Sequence, residues 1–524
     1  MQRSINSPVK EIEINDEFKR SLEIMENSPK NIFITGRAGT GKSTLLDYFR
    51  NNTEKEIAVL APTGVGAVNV KGETIHSFFG FKPNVTLSNI KKKYKKESSK
   101  NIYKKLDAIV IDEISMVRAD LLDCVDKFLR LNANTSEKPF GGIQMIFIGD
   151  LYQLPPVVTG EEREIFKSHY ETPYFFSAKS FDNLQMDFIE LEKIYRQKDE
   201  SFIRLLNGIR NNSINDDDIK ELNQRFDPSF EPQSDDFYVY LTTTNAMAEA
   251  INAKRLAELK GEVNGFYGEI EGSFGREYLP TAVELKLKVG AQVMLLNNDQ
   301  YGRWVNGTIG EIRSIEANHD GDGFITVELS DGEIVEVTPF TWEIFKFYVD
   351  GGELASDVVG SFTQFPIKLA WAVTIHKSQG KTFDKVIIDM GRGAFTHGQT
   401  YVALSRCTTL EGIVLKKPIK KGHVLMDWRV VRFLTKYQYQ KSEEKCSLDE
   451  KISIIERAIK NGSTLSIVYL KPSDDKSRRT IQPRMIGEME FQGKSFLGLS
   501  AFCLKRSEER HFRVDRILEM KEIV

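Results

Sequence analysis

Residues 31–46 read NIFITGRAGTGKSTLL, and this stretch predicts an α/β fold built around a nucleotide site. It begins with an apolar run typical of a buried parallel strand. Glycines then follow at the spacing Gly36-x-x-x-x-Gly41-Lys42-Ser43, which is the P-loop pattern. The N–H groups of such a loop and of the helix behind it surround an anion. Lys42 is therefore expected to contact the β- and γ-phosphates of a bound nucleotide, and Ser43 to bind Mg²⁺.

Length and composition limit the alternatives. The 524 residues suffice for three or four domains, and the net charge of −3 gives no overall attraction to polyanions. Four cysteines, none at metal-ligand spacing, predict neither a zinc site nor a disulfide framework. We expect a cytoplasmic protein, because the N-terminus lacks a signal peptide and no apolar run reaches the ~20 residues that cross a bilayer.

Further apolar runs end in polar residues, which predicts a parallel sheet with one ligand-binding edge. The run at residues 108–113, AIVIDE, ends in Asp112 and Glu113. Asp112 is suited to hold Mg²⁺, and Glu113 to orient and deprotonate the attacking water. Gln153 follows the next run, where its amide can contact a γ-phosphate.

Two arginines are candidates for neutralising charge on that phosphate. Arg196 follows Tyr195 in residues 191–197, which we interpret as the start of a second lobe, and Arg406 lies in a predicted helix. An arginine finger typically contributes about 10³–10⁵ in rate. For Arg196 the alternative is an ordinary surface arginine.

The pattern of apolar and polar residues changes twice in the second half of the chain. Residues 238–245 repeat the pattern of a strand with a polar end. Residues 306–362 show short alternating strands between glycine turns, which predicts a small antiparallel barrel. The parallel texture resumes at residues 365–389, so the barrel is an insertion. The lysine-rich residues 91–105 are either a solvated face or a basic flap over a polyanion.

The ordered motifs resemble those of superfamily-one helicases, and most closely the petite-integration-frequency (Pif) helicases, with RecD-like enzymes as cousins. The matching blocks are GRAGTGKST, APTGVGAVNVKGETIHSFFG, IVIDEISM, FIGDLYQLPPV, LEKIYRQ, FPIKLAWAVTIHKSQGKTFD and TYVALSRC. The resemblance implies an ATP- and Mg²⁺-dependent 5′-to-3′ DNA helicase with two RecA-like lobes. Its expected partners are single-stranded DNA and duplexes with a 5′ single-stranded tail. We expect a monomer in solution.

The resemblance also implies site residues. The expected catalytic residues are Lys42, Glu113, Gln153, Arg196 and Arg406. The expected ATP-binding residues are Gly36, Ala38, Gly39, Thr40, Gly41, Lys42, Ser43, Thr44, Phe18, Tyr195, Gly380 and Lys381, with Ser43 and Asp112 on the metal. The expected DNA-facing residues are Thr63, Gly64, Val65, His76, Ser77, Thr243, Asn245, His376 and Lys377.

One position departs from the family pattern. The family often reads LNxEQ before the P-loop, with a glutamine that reads adenine, whereas residues 14–18 here read INDEF. Phe18 takes the glutamine's place and either contacts the base or belongs to the core. Tyr195 is a separate candidate for stacking on the adenine.

The C-terminal part resembles WYL domains, although Ser495, Phe496 and Leu497 stand where the name-giving Trp-Tyr-Leu would be. Such domains sense ligands or bind nucleic acid. The basic candidates are Arg478, Arg510, Arg513 and Arg516, with solvated or ion-paired arginines as the alternative.

The expected organisation follows from these patterns. Residues 1–190 form a first RecA-like lobe with a wedge at 77–105, and residues 191–430 a second lobe containing the barrel. Residues 431–449 form a linker, and residues 450–524 a small β-rich WYL-like domain. The rival interpretation is a nucleotide-switched DNA-binding or regulatory module without unwinding.

Overall fold

Two units make up the chain in the computed structural model. One comprises residues up to 206 together with 215–425, and the other residues 207–214 together with 426–524. The structure describes residues 14–82, 85–92, 101–158, 166, 168–182, 184–233, 236–317, 323–350, 353–391, 393–394, 396–471, 476–491 and 493–523.

Six parallel strands form the first sheet of the larger unit. In chain order they are β1 (Asn31–Gly36), β2 (Ile57–Ala61), β3 (Glu73–Thr74), β4 (Ala108–Ile111), β5 (Gln144–Ile148) and β6 (Met186–Leu191). Their order across the sheet is β3-β2-β4-β5-β1-β6, and every neighbouring pair is parallel. The carboxyl ends of all six strands therefore meet at one edge, where the P-loop begins.

Helices connect these strands. They are α1 (Asp16–Asn27), α2 (Lys42–Asn52), α3 (Gly64–Asn69), α4 (Ile75–Phe79) and α5 (Ala119–Asn132). The predicted parallel α/β lobe is confirmed.

The sixth strand corrects the predicted lobe boundary. β6 pairs with β1 along its whole length, from Met186 opposite Asn31 to Leu191 opposite Gly36. Tyr195 and Arg196 follow β6 and contact the P-loop at Gly39, so they lie with the first lobe. The prediction that residues 191–197 open the second lobe is therefore wrong. The strand, MDFIEL, lacks a continuous apolar run, which is why its pattern was not recognised.

Four parallel strands form the second sheet. β7 (Val239–Thr242) precedes an insertion, and β18 (Ala372–Thr374), β19 (Val386–Asp389) and β20 (Ile413–Leu415) follow it, in the order β18-β7-β19-β20. The helices of this region are α6 (Glu200–Arg210), α7 (Asp216–Asn223), α8 (Asn245–Glu258) and α9 (Gln399–Leu404).

Antiparallel strands fill the insertion. They are β8 (Asn264–Tyr267), β9 (Glu269–Gly272), β10 (Glu284–Leu287), β11 (Gln292–Leu295), β12 (Ile309–Ala317), β13 (Gly323–Leu329), β14 (Ile334–Val337), β15 (Phe340–Asp350), β16 (Glu353–Gln364) and β17 (Ile367–Leu369). They form sheets in the orders β14-β13-β12-β11-β17, β15-β16-β9 and β10-β8.

The insertion is larger and more open than predicted. It begins near residue 264 rather than 306, and its five-stranded sheet ends in β14 on one side and β17 on the other. A closed barrel over residues 306–362 is therefore not confirmed. Side chains such as Leu287, Val293 and Val327 form the core beneath the sheet.

The smaller unit combines two helices with one antiparallel sheet. Its elements are α10 (Trp428–Lys445), α11 (Leu448–Asn461), β21 (Thr464–Leu470), β22 (Lys476–Phe491), β23 (Lys494–Cys503), β24 (Glu508–Arg513) and β25 (Ile517–Ile523). The strand order is β24-β23-β22-β21-β25, and Ile455 of α11 packs into the core of the sheet. The predicted β-rich C-terminal domain is confirmed.

The predicted linker at residues 431–449 is wrong, because α10 covers most of it. Polar side chains hold this helix in place, so its sequence does not show the apolar periodicity that predicts a helix. The buried Ser442 hydroxyl contacts the carbonyl oxygens of Ile517 and Leu518 at 3.1 and 2.9 Å. The ammonium group of the buried Lys451 donates to the same hydroxyl at 2.8 Å.

Parts of two predictions fall outside the described residues. Residues 93–100 belong to the lysine-rich flap, and residues 83–84 to the wedge. Among the described residues, none of the helices combines the length and the apolar character that crossing a membrane requires.

Candidate functional site

The P-loop connects β1 to α2 in a conformation that depends on glycine. Gly39 and Gly41 have φ values of 80° and 87°, in the left-handed region that side chains rarely adopt. A Cβ on Gly39 would also lie 2.4 Å from the Cβ of Arg196. The Tyr195 N–H donates to the Gly39 carbonyl at 2.8 Å, so the end of β6 packs directly against the loop.

Lys42 provides a cation at this loop. Its ammonium group donates to the carbonyl oxygens of Gly36 and Arg37 at 2.7 and 3.0 Å. These acceptors are uncharged, so the positive charge is not neutralised by them. The lysine is thus held in position for an anion that enters the loop.

Asp112 and Glu113 follow β4 and face the same region. Glu113 has a left-handed backbone, with φ 48° and ψ 42°. Burial raises the pKa of both carboxyls, whereas the charge of Lys42 acts in the opposite direction on each. Ser43 and Asp112 both line a cavity of about 950 Å³ that adjoins the P-loop, and both carry hard oxygen donors of the kind that Mg²⁺ prefers.

Gln153 offers an acceptor in the wall of the site. It is buried, and its side-chain N–H donates to the Asp150 carboxylate at 3.3 Å. Its side-chain oxygen has no hydrogen-bond partner among the described residues. Since a buried polar atom without a partner is costly, this oxygen fits a site that takes up a polar ligand or water.

Arg196 and Arg406 approach from the two sheets. Burial lowers the pKa of both guanidinium groups, and for Arg406 the charge of Arg196 adds to this effect. An arginine nevertheless stays protonated in proteins. Arg196 donates to the Ser405 carbonyl at 3.1 Å, which joins the end of β6 to the turn that carries Arg406.

A cavity of about 530 Å³ brings these predicted residues together. Its lining contains Phe18, Ala38, Gly39, Thr40, Gly41, Lys42, Ser43, Thr44, Glu113, Gln153, Tyr195, Arg196, Gly380 and Arg406. The sequence did not single out Asn15, Leu191 and Thr382, which also line it. Three residues expected at the nucleotide or its metal do not line this cavity: Gly36, Asp112 and Lys381. Asp112 and Lys381 line a second cavity, where Lys381 donates to the Asn306 side chain.

Phe18 is a core residue that also lines the cavity, and its contact with the base stays a prediction. Its ring is buried and meets Tyr48 edge-on, with 6.0 Å between the ring centroids. The same residue lines the cavity, so it is a core residue with one part at the site. Tyr195 is 42 % exposed, and the Lys193 ammonium group lies 5.2 Å from the centre of its ring.

The second cavity, of about 950 Å³, collects part of the expected DNA-facing set. Thr63 and Val65 line it from the first sheet, and His376 and Lys377 from the second. The other expected members do not line it: Gly64, His76, Ser77, Thr243 and Asn245. Gly64 lies against the insertion, where a Cβ would be 2.2 Å from the Glu277 carbonyl oxygen.

Lys368 lines the second cavity and was missed by the sequence analysis. Burial, with the nearby charges of Lys381 and Lys377, lowers its pKa to about 7. Burial alone lowers the pKa of Lys381 to about 8. Lys368 lies within the motif block that begins FPIKL, but nothing in its spacing indicated that it faces the cleft.

The arginines of the smaller unit have mixed surroundings. Arg513 donates twice to the Asp515 carboxylate, at 3.1 and 2.7 Å, and Arg510 pairs with Glu508. The ion-paired alternative therefore describes both residues. Arg478 is exposed and Arg516 partly so.

Fold and site together define a P-loop nucleotide-binding protein whose cavity is built by two parallel sheets. The model of the PIF1-like helicase family matches residues 14–220, and that of the WYL domain matches residues 450–522. The ATP-dependent DNA helicase Pif1 of Bdellovibrio bacteriovorus is 31% identical over 82% of this chain and 94% of its own length. The chain belongs to the Pif1 helicase family.

Solved structures agree with this assignment. Unliganded Pif1 from Bacteroides sp is 37% identical, with a TM-score of 0.74 over 81% of this chain and 96% of that chain. Bacteroides Pif1 bound to single-stranded DNA is 38% identical, with a TM-score of 0.58 over 82% of this chain and 97% of that chain.

Proposed function

We propose that this protein is an ATP-dependent DNA helicase that moves 5′ to 3′ along single-stranded DNA and separates the duplex ahead. The observation that carries the proposal is the lining of the 530 Å³ cavity, to which the first sheet contributes Lys42 and Glu113 and the second Arg406. A cavity assembled from both lobes changes when the lobes move, so nucleotide turnover and lobe movement are coupled.

The residues divide the work of hydrolysis. Lys42 and the loop N–H groups hold the β- and γ-phosphates. Glu113 orients the attacking water and accepts its proton, while the Gln153 side-chain oxygen supplies a further acceptor for that water. Arg196 and Arg406 neutralise the charge that develops on the transferring phosphoryl group. Ser43 and Asp112 would hold Mg²⁺, which supplies charge neutralisation at the phosphates.

The second cavity supports the DNA assignment. Lys377 and Lys381 bring positive charge to its second-lobe side, and Thr63 on the first-lobe side has a hydroxyl suited to a phosphate oxygen. The remaining proposed contacts with the single-stranded DNA are Gly64, His76, Ser77, Thr243 and Asn245. Backbone contacts of this kind give strong salt dependence and little sequence preference.

For the WYL-like unit we propose an accessory role in binding nucleic acid or a ligand. Arg478 is the leading candidate there, because its side chain is exposed. Among the described residues, no acid pairs with it. Arg510 and Arg513 already have carboxylate partners.

A strand-separation assay tests the proposal. Wild-type protein with ATP should unwind a duplex with a 5′ tail and leave one with a 3′ tail intact. Lys42→Ala should abolish unwinding, because the phosphates lose their cation, while binding of single-stranded DNA should persist. Unwinding by Lys42→Ala would contradict the site assignment. A wild-type protein that binds DNA in a nucleotide-dependent way without unwinding would favour the switch interpretation.

A further inference from the structure

A buried hydrogen bond joins the P-loop to the helix that precedes Arg406. The Ala38 N–H donates to the Tyr401 hydroxyl oxygen at 3.0 Å. Ala38 is the third residue of the P-loop, and Tyr401 belongs to α9 of the second lobe. Tyr401 is not among the residues that line the 530 Å³ cavity, so its hydroxyl reaches the loop from behind.

The segment around Tyr401 makes other contacts with the first lobe. The Gln197 side chain donates to the Cys407 carbonyl at 2.9 Å, and a His397 ring nitrogen contacts the Leu151 carbonyl at 3.0 Å. At Gly398, where φ is 74°, a Cβ would lie 2.2 Å from the Gln153 carbonyl oxygen. Residues 397–407 therefore touch the first lobe beside the P-loop, Gln153 and Arg196.

The same segment determines where Arg406 lies. The Arg406 guanidinium donates to the Val402 carbonyl at 3.0 Å, one residue along the chain from Tyr401. Tyr401 also lies close enough to Arg196 and Arg406 to interact electrostatically with both guanidinium groups. A displacement of Tyr401 relative to the loop would displace Arg406 as well.

We propose that Tyr401 is a positioning residue for ATP hydrolysis. Its hydroxyl fixes the P-loop at Ala38 relative to the turn that carries Arg406, so that the phosphates and the arginine meet in one register. The proposal rests on the ATP hydrolysis proposed above. Because an arginine finger acts on charge that develops in the transition state, a loss of register lowers kcat rather than the affinity for nucleotide.

The test compares Tyr401→Phe with Tyr170→Phe. Tyr170 is the control, because its hydroxyl also makes a hydrogen bond, to the Asp123 carboxylate at 2.9 Å, but the residue lines neither cavity. Tyr401→Phe leaves the Ala38 N–H without its acceptor and should lower the DNA-stimulated kcat by roughly 5- to 20-fold. The KM for ATP should stay within about twofold, and Tyr170→Phe should match wild type in both constants.

A second measurement separates positioning from general damage. Affinity for ADP with aluminium fluoride should fall in Tyr401→Phe by the same factor as kcat, while affinity for ADP alone stays unchanged. Equal losses for both ligands, or a loss of neither, would overturn the proposal. Thermal unfolding of the two variants should agree, since each loses one hydrogen-bonded hydroxyl. Selective unfolding of Tyr401→Phe would assign the bond to stability instead. A wild-type chain without ATP hydrolysis would refute the proposed function itself, whereas an active wild type with an unaffected Tyr401→Phe refutes the positioning role alone.

Discussion

Arg406 and Arg513 were both predicted to meet anionic ligands, and their surroundings are opposite. Arg406 is 1 % exposed, and its guanidinium donates to three carbonyl oxygens and one serine hydroxyl. Arg513 lies partly exposed in the smaller unit and donates twice to the Asp515 carboxylate. One arginine keeps its charge uncompensated by its hydrogen-bond partners, and the other is paired with an acid beside it.

The different surroundings of Arg406 and Arg513 distinguish a ligand-binding site from an ordinary charged surface. Burying a charge among neutral acceptors is unfavourable, and the arrival of a phosphate offsets that cost. An exposed ion pair contributes only about 0–1 kcal/mol and leaves little charge for a ligand. The charge of Arg406 in the nucleotide cavity is therefore available to a phosphate, whereas the charges of the paired arginines in the WYL-like unit are not.

Replacing the buried arginine should have the largest effect. Arg406→Ala removes charge compensation at the transferring phosphoryl group and should lower the DNA-stimulated kcat by about 10³- to 10⁵-fold. Single-turnover hydrolysis of ATP measures this directly. Equilibrium binding of ADP is the control and should change little, because the γ-phosphate is absent. A loss of less than tenfold would show that Arg406 does not act on the reaction.

An effect of intermediate size is expected for Lys368, a lysine whose pKa is affected by burial. Burial lowers its pKa from 10.5 to about 7 in the folded protein. Between these values the unfolded chain binds more protons, so the free energy of unfolding rises with pH across this window. Lys368→Met removes the penalty and should raise the unfolding midpoint by roughly 2–4 °C at pH 7. The gain should shrink as the pH approaches 10.

The exposed Lys260 provides a control for that measurement. Lys260→Met changes the same charge at the surface and should produce no comparable gain at pH 7. If the two variants behave alike at every pH, the burial of Lys368 has no energetic consequence.

The smallest effect is expected at the paired arginine. Arg513→Ala should change the affinity for single-stranded DNA by less than about twofold, because its charge is already matched by Asp515. Arg478→Ala should weaken binding more, if the unit contacts nucleic acid. Fluorescence anisotropy at two salt concentrations compares them. A larger loss for Arg513 than for Arg478 would contradict the distinction between paired and available charges.

The sequence predicted the parts of the site that follow strands with strong apolar patterns. The P-loop, Asp112, Glu113 and Gln153 all come after buried runs, and their chemistry was evident from residue type and order. Lys381, expected at the nucleotide, lines the second cavity instead, because a position in a motif does not specify which way a side chain points. The prediction that Arg196 belongs to the second lobe was wrong, because the sequence of β6 is too polar to be recognised as a strand.

Long-range packing accounts for the rest. The hydrogen bond between Ala38 and Tyr401 joins residues that are far apart in the chain, and no local pattern indicates it. The helix in place of the predicted linker is held by polar contacts of Ser442, which composition alone presents as solvent-exposed sequence. The extent of the inserted sheets likewise depends on strand pairing that short alternating runs do not specify.

The central claim is that a cavity built from two lobes couples ATP hydrolysis to DNA. The most direct test measures the rate of ATP hydrolysis by the wild-type protein with and without single-stranded DNA at low salt. The account predicts strong stimulation by DNA, because DNA that contacts both lobes should favour the arrangement in which Arg406 acts on the bound phosphates. An equal rate with and without DNA, at concentrations where DNA is bound, would contradict it.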